Sequence, residues 1–253
     1  MKIGVAVFEV KARNIAANTN AVLACMREAA AAGVDLLLLP EVVLTGFVFD
    51  DVYAKDLPYA LELKNPLISR ICEDAKRHGI GVAFGFIENG AGTLYDSAIL
   101  VNSDGEIVLQ QRRLTRGWCA PNANPAEYGT GTELCTAMTP WGNVGFMICG
   151  DLFDAVQHAA DAALDILLFP YARCFAGGVT DAQAEWDNVE WPEHAAQIKK
   201  ANAGITLGAN YISTGESDEY FGGGFVAARD GARLAALPLY TPGLLVYEVP
   251  TCK

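Results

Sequence analysis

Unbroken apolar runs alternate along this chain with segments in which apolar residues recur every three to four positions, and the alternation persists for most of its length. Unbroken runs of four to eight suit strands buried on both faces, whereas the three-to-four spacing suits helices packed by one stripe. Residues 1–9 read as an opening strand. Residues 14–33 carry Val22, Met26, Ala29 and Ala30 at helical spacing, with Gly33 as the stop, and Leu36 to Leu39 follow as a buried strand. Residues 66–79 predict a second helix on the stripe Leu67, Ile71 and Ala75. Strands are then expected at 80–87, 95–101 and 107–114, the last two joined by the turn Ser103-Asp104-Gly105. Residues 117–132 have no period and contain Pro121, Pro125 and three glycines, so they read as a long loop, a feature that in compact domains is often functional.

One stretch echoes another. Ala32-Gly33-Val34-Asp35-Leu36-Leu37-Leu38-Leu39-Pro40 is matched by Ala163-Leu164-Asp165-Ile166-Leu167-Leu168-Phe169-Pro170, and each follows an alanine-rich helical segment. Strands this apolar need both faces covered, which two mixed sheets packed face to face with helices outside would provide. The expected class is therefore α/β, an αββα sandwich with pseudo-symmetric halves, built as a single domain over residues 1–253.

Composition narrows the function classes. The 253 residues are 52% hydrophobic and 19% charged, enough apolar material for one large core. A formal net charge of -12 opposes binding to a phosphate backbone or to anionic lipid, and the basic residues form no block, so neither nucleic acid nor membrane is expected as a partner. No apolar run approaches the roughly 20 residues of a spanning helix. Seven scattered cysteines fit reduced thiols in the cytoplasm better than a disulfide framework.

Two apolar runs end on residues with chemistry. Gly145-Phe146-Met147-Ile148 leads into Cys149-Gly150-Asp151, and Leu36 to Leu39 leads through Pro40 into Glu41. Strands carrying these runs would deliver both side chains to one edge of the fold. A thiol beside a carboxylate base is the arrangement of covalent hydrolysis, because a free cysteine of pKa ~8.5 needs a base to become a nucleophile near neutrality. A carboxylate directly after four leucines is also costly to bury without a partner.

The ordered set of Leu38-Leu39-Pro40-Glu41 with Thr45-Gly46-Phe47, Val144 to Asp151, Gly208-Ala209-Asn210, and Phe221-Gly222-Gly223-Gly224 before Asp230-Gly231 resembles the nitrilase, or carbon-nitrogen hydrolase, superfamily across essentially the whole chain. That resemblance implies an αββα sandwich, usually dimeric or larger, and a Glu-Lys-Cys catalytic set often joined by a second glutamate. It also implies hydrolysis of small amides, carbamoyl compounds or, less often, nitriles, with no metal or organic cofactor. By motif, Glu41 matches the general base, Cys149 the nucleophile and Glu127 the second glutamate. Arg113 stands at the lysine position, or Arg112 if the register slips by one, and Leu152-Phe153-Asp154-Ala155 replaces the usual Arg-Phe-Pro-Glu. An arginine there preserves charge but not shape, and it cannot serve as a proton donor, so electrostatic support is its expected role.

The oxyanion of an attacked amide needs donors fixed in advance, for which the Gly150 N–H and the cation at 113 are candidates. Arg173 is the candidate for a substrate carboxylate, since its fork matches that group. His78, His158 and His194 are too far apart for a zinc site and read as surface or capping residues. Gly222-Gly223-Gly224 lacks the lysine and hydroxyl of a phosphate loop and reads as close packing or a turn. The expected function is a cysteine-dependent hydrolase of a small amide or carbamoyl compound, acting as a cytoplasmic homodimer. The alternatives are a true nitrilase, or an impaired relative that binds a ligand or partner through the same pocket.

Overall fold

In the computed structural model, which describes residues 1–47, 49–175, 177, 179–213 and 219–250, the apolar runs become the inner strands of two six-stranded sheets. The chain first lays down β1 (Lys2–Val7), β2 (Leu36–Leu38), β3 (Gly81–Gly90), β4 (Thr93–Val101) and β5 (Ile107–Arg112). The second sheet takes β6 (Thr136–Thr139), β7 (Gly142–Phe146), β8 (Ile166–Pro170), β9 (Ile205–Ala209), β10 (Gly224–Ala228) and β11 (Arg233–Ala236), after which β12 (Gly243–Glu248) returns to the first. Among the described residues seven α-helices connect or cover them: α1 (Ile15–Ala31), α2 (Tyr53–Asp56), α3 (Pro66–His78), α4 (Asp151–Asp154), α5 (Val156–Ala162), α6 (Ala182–Glu185) and α7 (Trp191–Ala201).

The two halves repeat. Across the order β12-β1-β2-β3-β4-β5 the pairings run antiparallel, parallel, parallel, antiparallel, antiparallel, and the order β6-β7-β8-β9-β10-β11 gives the same series. The echoing runs fall on equivalent strands, β2 and β8, each third in its sheet and each preceded by a helix. The αββα sandwich with pseudo-symmetric halves is thus the fold.

Alternation within each strand explains why the runs are continuous. Leu36 and Leu38 point between the sheets with Ile3, Val5, Phe146, Ile166, Leu168 and Leu207, while Leu37 and Leu39 face outward onto Val22 and Met26 of α1 and Ile68 and Ile71 of α3. The second sheet repeats this, with Leu167 and Phe169 outward against Ile198 and Ala201 of α7. Each buried leucine contributes roughly 1.5–3 kcal/mol.

Local signals set the helix limits. Asn14 caps α1 by accepting from the Ala17 N–H, Asn65 caps α3 with Pro66 at its first position, and Gly79 ends α3 in the left-handed conformation at φ +63°. Residues 113–135 carry no named strand or helix, as expected of the long loop, although Tyr128 bridges to Leu94. Among the described residues no helix is long and apolar enough to cross a membrane.

Candidate active site

Glu41 follows β2 through Pro40, where the chain leaves the sheet in a tight turn with Val42 at φ +41°. Backbone hydrogen bonds hold that turn on β3: the Gly85 N–H donates to Pro40 O at 3.1 Å and the Val43 N–H to Gly85 O at 3.1 Å. The approach is so close that a Cβ on Gly85 would stand 2.7 Å from Glu41 Cα and 2.7 Å from Val42 N. Glycine there is a steric requirement.

Cys149 lies further from its strand than the sequence predicts. β7 stops at Phe146, and the chain continues beside β8, with the Met147 N–H on Leu168 O at 3.0 Å and the Cys149 N–H on Pro170 O at 3.1 Å. It then turns sharply: Cys149 sits at φ +46°, and α4 begins two residues later. A non-glycine residue held in the left-handed region costs on the order of 1–3 kcal/mol, and such strain gathers at functional sites. The turn leaves Cys149 half-buried, its Sγ 3.8 Å from Ala172 O. The Gly150 N–H makes no backbone hydrogen bond among the described residues.

Arg113 joins the two. Its Nη1 donates to Glu41 Oε1 at 3.1 Å and to Asp96 Oδ2 at 3.3 Å, and its Nε to Thr115 Oγ1 at 3.2 Å. On its other side, a Cβ built on Gly150 would stand 2.5 Å from Nη2, so the guanidinium lies against the Cys149-Gly150 turn. Arg112, the alternative for the lysine position, points elsewhere: it forks onto Glu88 at 3.0 and 2.6 Å and stacks on Tyr95 at 3.8 Å. Arg113 is the first residue beyond β5, but its N–H still bonds Asp96 O of β4 at 2.8 Å, so the alternation of the strand carries over and turns the two arginines to opposite sides.

Three further acids belong to this neighbourhood. Asp96 of β4 is fully buried beside Glu41 on the same Arg113 nitrogen. Asp151 is fully buried too and accepts from the Leu114 N–H at 3.0 Å and the Thr115 N–H at 2.9 Å, tying the nucleophile turn to the Arg113 loop. Glu190, on a wide turn at Trp186–Glu190, takes both arms of Arg173, from Nε at 2.9 Å and Nη2 at 2.8 Å. The fork assigned from sequence to a substrate carboxylate is therefore already occupied by one of the chain's own.

Burial dominates the electrostatics. It pushes Glu41 well above the ordinary carboxylate range, and the charges of Asp96 and Cys149 push the same way against Arg113. Asp96 is raised by burial despite Arg113. Burial alone would lower Arg113, but Cys149, Glu41 and Asp96 outweigh it and keep the guanidinium charged. Asp151 is raised by burial to about 6, against the hydrogen bonds from Leu114 and Thr115.

Two other expectations fare differently. Glu127 is half-buried on the long loop, its backbone N–H on Asn124 O and its carbonyl accepting from the Leu94 N–H. Among the described residues no hydrogen bond or ion pair joins its carboxylate to Glu41, Arg113 or Cys149. His194 is not a surface or capping residue: the apolar face of α7 buries it among Phe153, Phe169, Tyr171, Trp186 and Phe225, and burial lowers its pKa to about 4. Among the described residues no group of three or more His, Cys, Asp or Glu is placed to hold a metal.

The family described as carbon-nitrogen hydrolase matches residues 2–252. A bromoxynil-specific nitrilase of Klebsiella pneumoniae subsp. ozaenae is 29% identical over 161 residues, 58% of this chain and 45% of that protein. An (R)-stereoselective amidase of Pseudomonas sp. is 29% identical over 141 residues, 56% and 47% of the two chains. The matched region thus spans about half the length of these curated relatives. Among solved structures, an amidase from Nesterenkonia sp. superposes with a TM-score of 0.77 at 20% identity, covering 99% of this chain and 90% of that one. A variant of the Nesterenkonia sp. AN1 amidase, with the acetamide moiety of fluoroacetamide covalently added at its active-site cysteine, gives 0.81 at 19% identity over 99% and 90%. At these identities the superpositions speak for the fold.

Proposed function

This chain belongs to the carbon-nitrogen hydrolase family, and from that premise we propose that it hydrolyses a non-peptide carbon–nitrogen bond in a small amide or carbamoyl compound, through a thioester on Cys149. The observation that carries the proposal is the meeting of Glu41, Arg113 and Cys149, from three distant parts of the chain, around one buried guanidinium.

The geometry supports the following steps. Glu41 takes the thiol proton, and the thiolate so formed attacks the carbonyl carbon. Negative charge gathers on the carbonyl oxygen, where the Gly150 N–H and the adjacent Arg113 guanidinium are fixed before the reaction begins. Removing one such donor typically costs about 3 to 4 kcal/mol of barrier. Glu41 then returns the proton to the departing nitrogen, and ammonia or an amine leaves. In the second half the same carboxylate draws a proton from water as that water attacks the thioester, which releases the acid and restores the thiol. Arg113 keeps its own protons throughout, because a guanidinium paired with two carboxylates stays charged.

The Arg173–Glu190 pair bears on the substrate class. It lies close enough for the Cys149 charge to act on it, yet presents a neutralised fork, which supports an uncharged amide over one carrying a free carboxylate. Glu127, on the loop after β5, stays the candidate for the second, positioning glutamate.

The test is ammonia release from a panel of simple amides, ω-amides, carbamoyl amino acids and nitriles, with Cys149→Ala as the control. Release from an amide or carbamoyl compound that vanishes in the variant supports the proposal. Release from nitriles alone moves the assignment to a nitrilase, and no release from any compound, with the thiol reduced, to a binding protein.

A further inference from the structure

Two carboxyl groups share one guanidinium nitrogen: Arg113 Nη1 is 3.1 Å from Glu41 Oε1 and 3.3 Å from Asp96 Oδ2. The side chains of both acids are 0% exposed. The remaining oxygen of each, Glu41 Oε2 and Asp96 Oδ1, has no hydrogen-bond partner among the described residues. Such atoms are costly in a protein interior. One cation cannot neutralise two carboxylates, and a proton held by either acid removes the excess charge and turns an orphaned acceptor into a donor.

We propose that Asp96 is a positioning residue that makes Glu41 a proton acceptor for the Cys149 thiol, the two carboxyls on Arg113 Nη1 holding the transferred proton jointly. The role rests on Cys149 being the nucleophile. In the step, the S–H bond breaks, an O–H bond forms on the carboxyl pair, and negative charge passes from carboxylate to sulfur with no other reactant. Asp96 favours this direction because it shares Arg113 Nη1 with Glu41 and so sets a second negative charge beside that carboxylate. Asp96 and Cys149 both act on Glu41 as like charges, against the opposing charge of Arg113. Asp151, the remaining acid facing Arg113, is held by the Leu114 and Thr115 N–H groups and stays outside the pair. Two carboxyls so close behave as one unit that binds its first proton more tightly than either would alone. Without Asp96, Glu41 would face Arg113 alone as a stable ion pair and would be a poorer base.

The test needs no substrate. Iodoacetamide labelling of Cys149 is followed by peptide mass spectrometry across the neutral range in the natural protein, Glu41→Gln and Asp96→Asn. Asparagine keeps the shape and one acceptor for Arg113, so a structural role alone leaves the pH profile unmoved. Expected is a fall in Cys149 labelling near pH 7 of about tenfold, equivalent to one pK unit, in Asp96→Asn, with the rate climbing only at higher pH. Fast labelling retained in Asp96→Asn but lost in Glu41→Gln contradicts the role of Asp96 alone. Equally slow labelling in all three contradicts the nucleophile as well. If Asp96→Asn does not fold, infrared spectra of the natural protein decide: a protonated-carboxyl band at neutral pH that vanishes in Glu41→Gln supports the shared proton, and its absence overturns it.

Discussion

Glu190 closes the guanidinium fork of Arg173, with Nε and Nη2 of the arginine 2.9 and 2.8 Å from its two carboxylate oxygens. Asn210 fixes the arginine's backbone from the other side, donating to Arg173 O at 2.9 Å. A fork already filled cannot take a second carboxylate bidentately. Glu190→Gln would open it, and the expected result is a shift in kcat/KM of about tenfold toward amides bearing a free carboxylate, relative to uncharged amides of the same size. Parallel kinetics on one such matched pair check this, and an unchanged ratio would remove Arg173 from the substrate's surroundings.

Arg113→Lys should cost activity even though the charge is kept. An ammonium cannot touch Glu41, Asp96 and Thr115 while lying against Gly150 as the planar fork does. A drop in kcat of about 10² or more is expected, in line with the loss of one oxyanion donor. Arg113→Ala should instead destabilise by about 3–5 kcal/mol in denaturant titration, because it leaves two buried carboxyls without their cation.

Two glycine substitutions should separate activity from stability. Gly150→Ala would press a methyl to 2.5 Å from Arg113 Nη2, the end of a side chain that can give way, so catalysis should suffer more than folding. Gly85→Ala would instead strike the Glu41 and Val42 backbone at 2.7 Å, where nothing can yield cheaply, and should lower stability by about 1–3 kcal/mol. Thermal melts beside activity assays on both variants give the comparison.

The buried Asp151 gives a pH dependence with a definite sign. Its carboxyl is raised to about 6, above the unfolded value, so the folded state binds its proton more tightly and gains stability on acidification. That contribution is complete below the unfolded pKa and is lost as pH rises through about 6. The stability of the natural protein relative to Asp151→Asn should therefore increase as pH falls from neutrality toward about 4, by a few kcal/mol at most. Urea titrations of both proteins at several pH values measure it, and a constant difference would refute it.

Much of this architecture was legible because buried strands write themselves as continuous apolar runs. Leu36 to Leu39 and Ile166 to Phe169 marked the equivalent strands β2 and β8, and Glu41 and Cys149 stood out as polar residues ending such runs. Asp96 did not stand out: on β4 it is one acid amid Tyr95 and Ser97. Strand alternation was the available signal, since a period of two places it on the face of Ala98 and Leu100, which lie between the sheets. Its partner could not be read, because the pairing with Glu41 and Arg113 depends on how three strands and two loops register. The fork of Glu190 on Arg173 was hidden for the same reason, and His194 was misjudged because no helix was read for 191–201, whose apolar face is short.

The covalent intermediate is the account's central claim, and it is tested most directly by acid-quenching the enzyme during turnover of an amide it hydrolyses and weighing the protein. The account predicts a population heavier by the acyl group, with the added mass on the peptide containing Cys149 and absent from Cys149→Ala. Ammonia release that continues undiminished in Cys149→Ala, or an acyl group found on another residue, would contradict it.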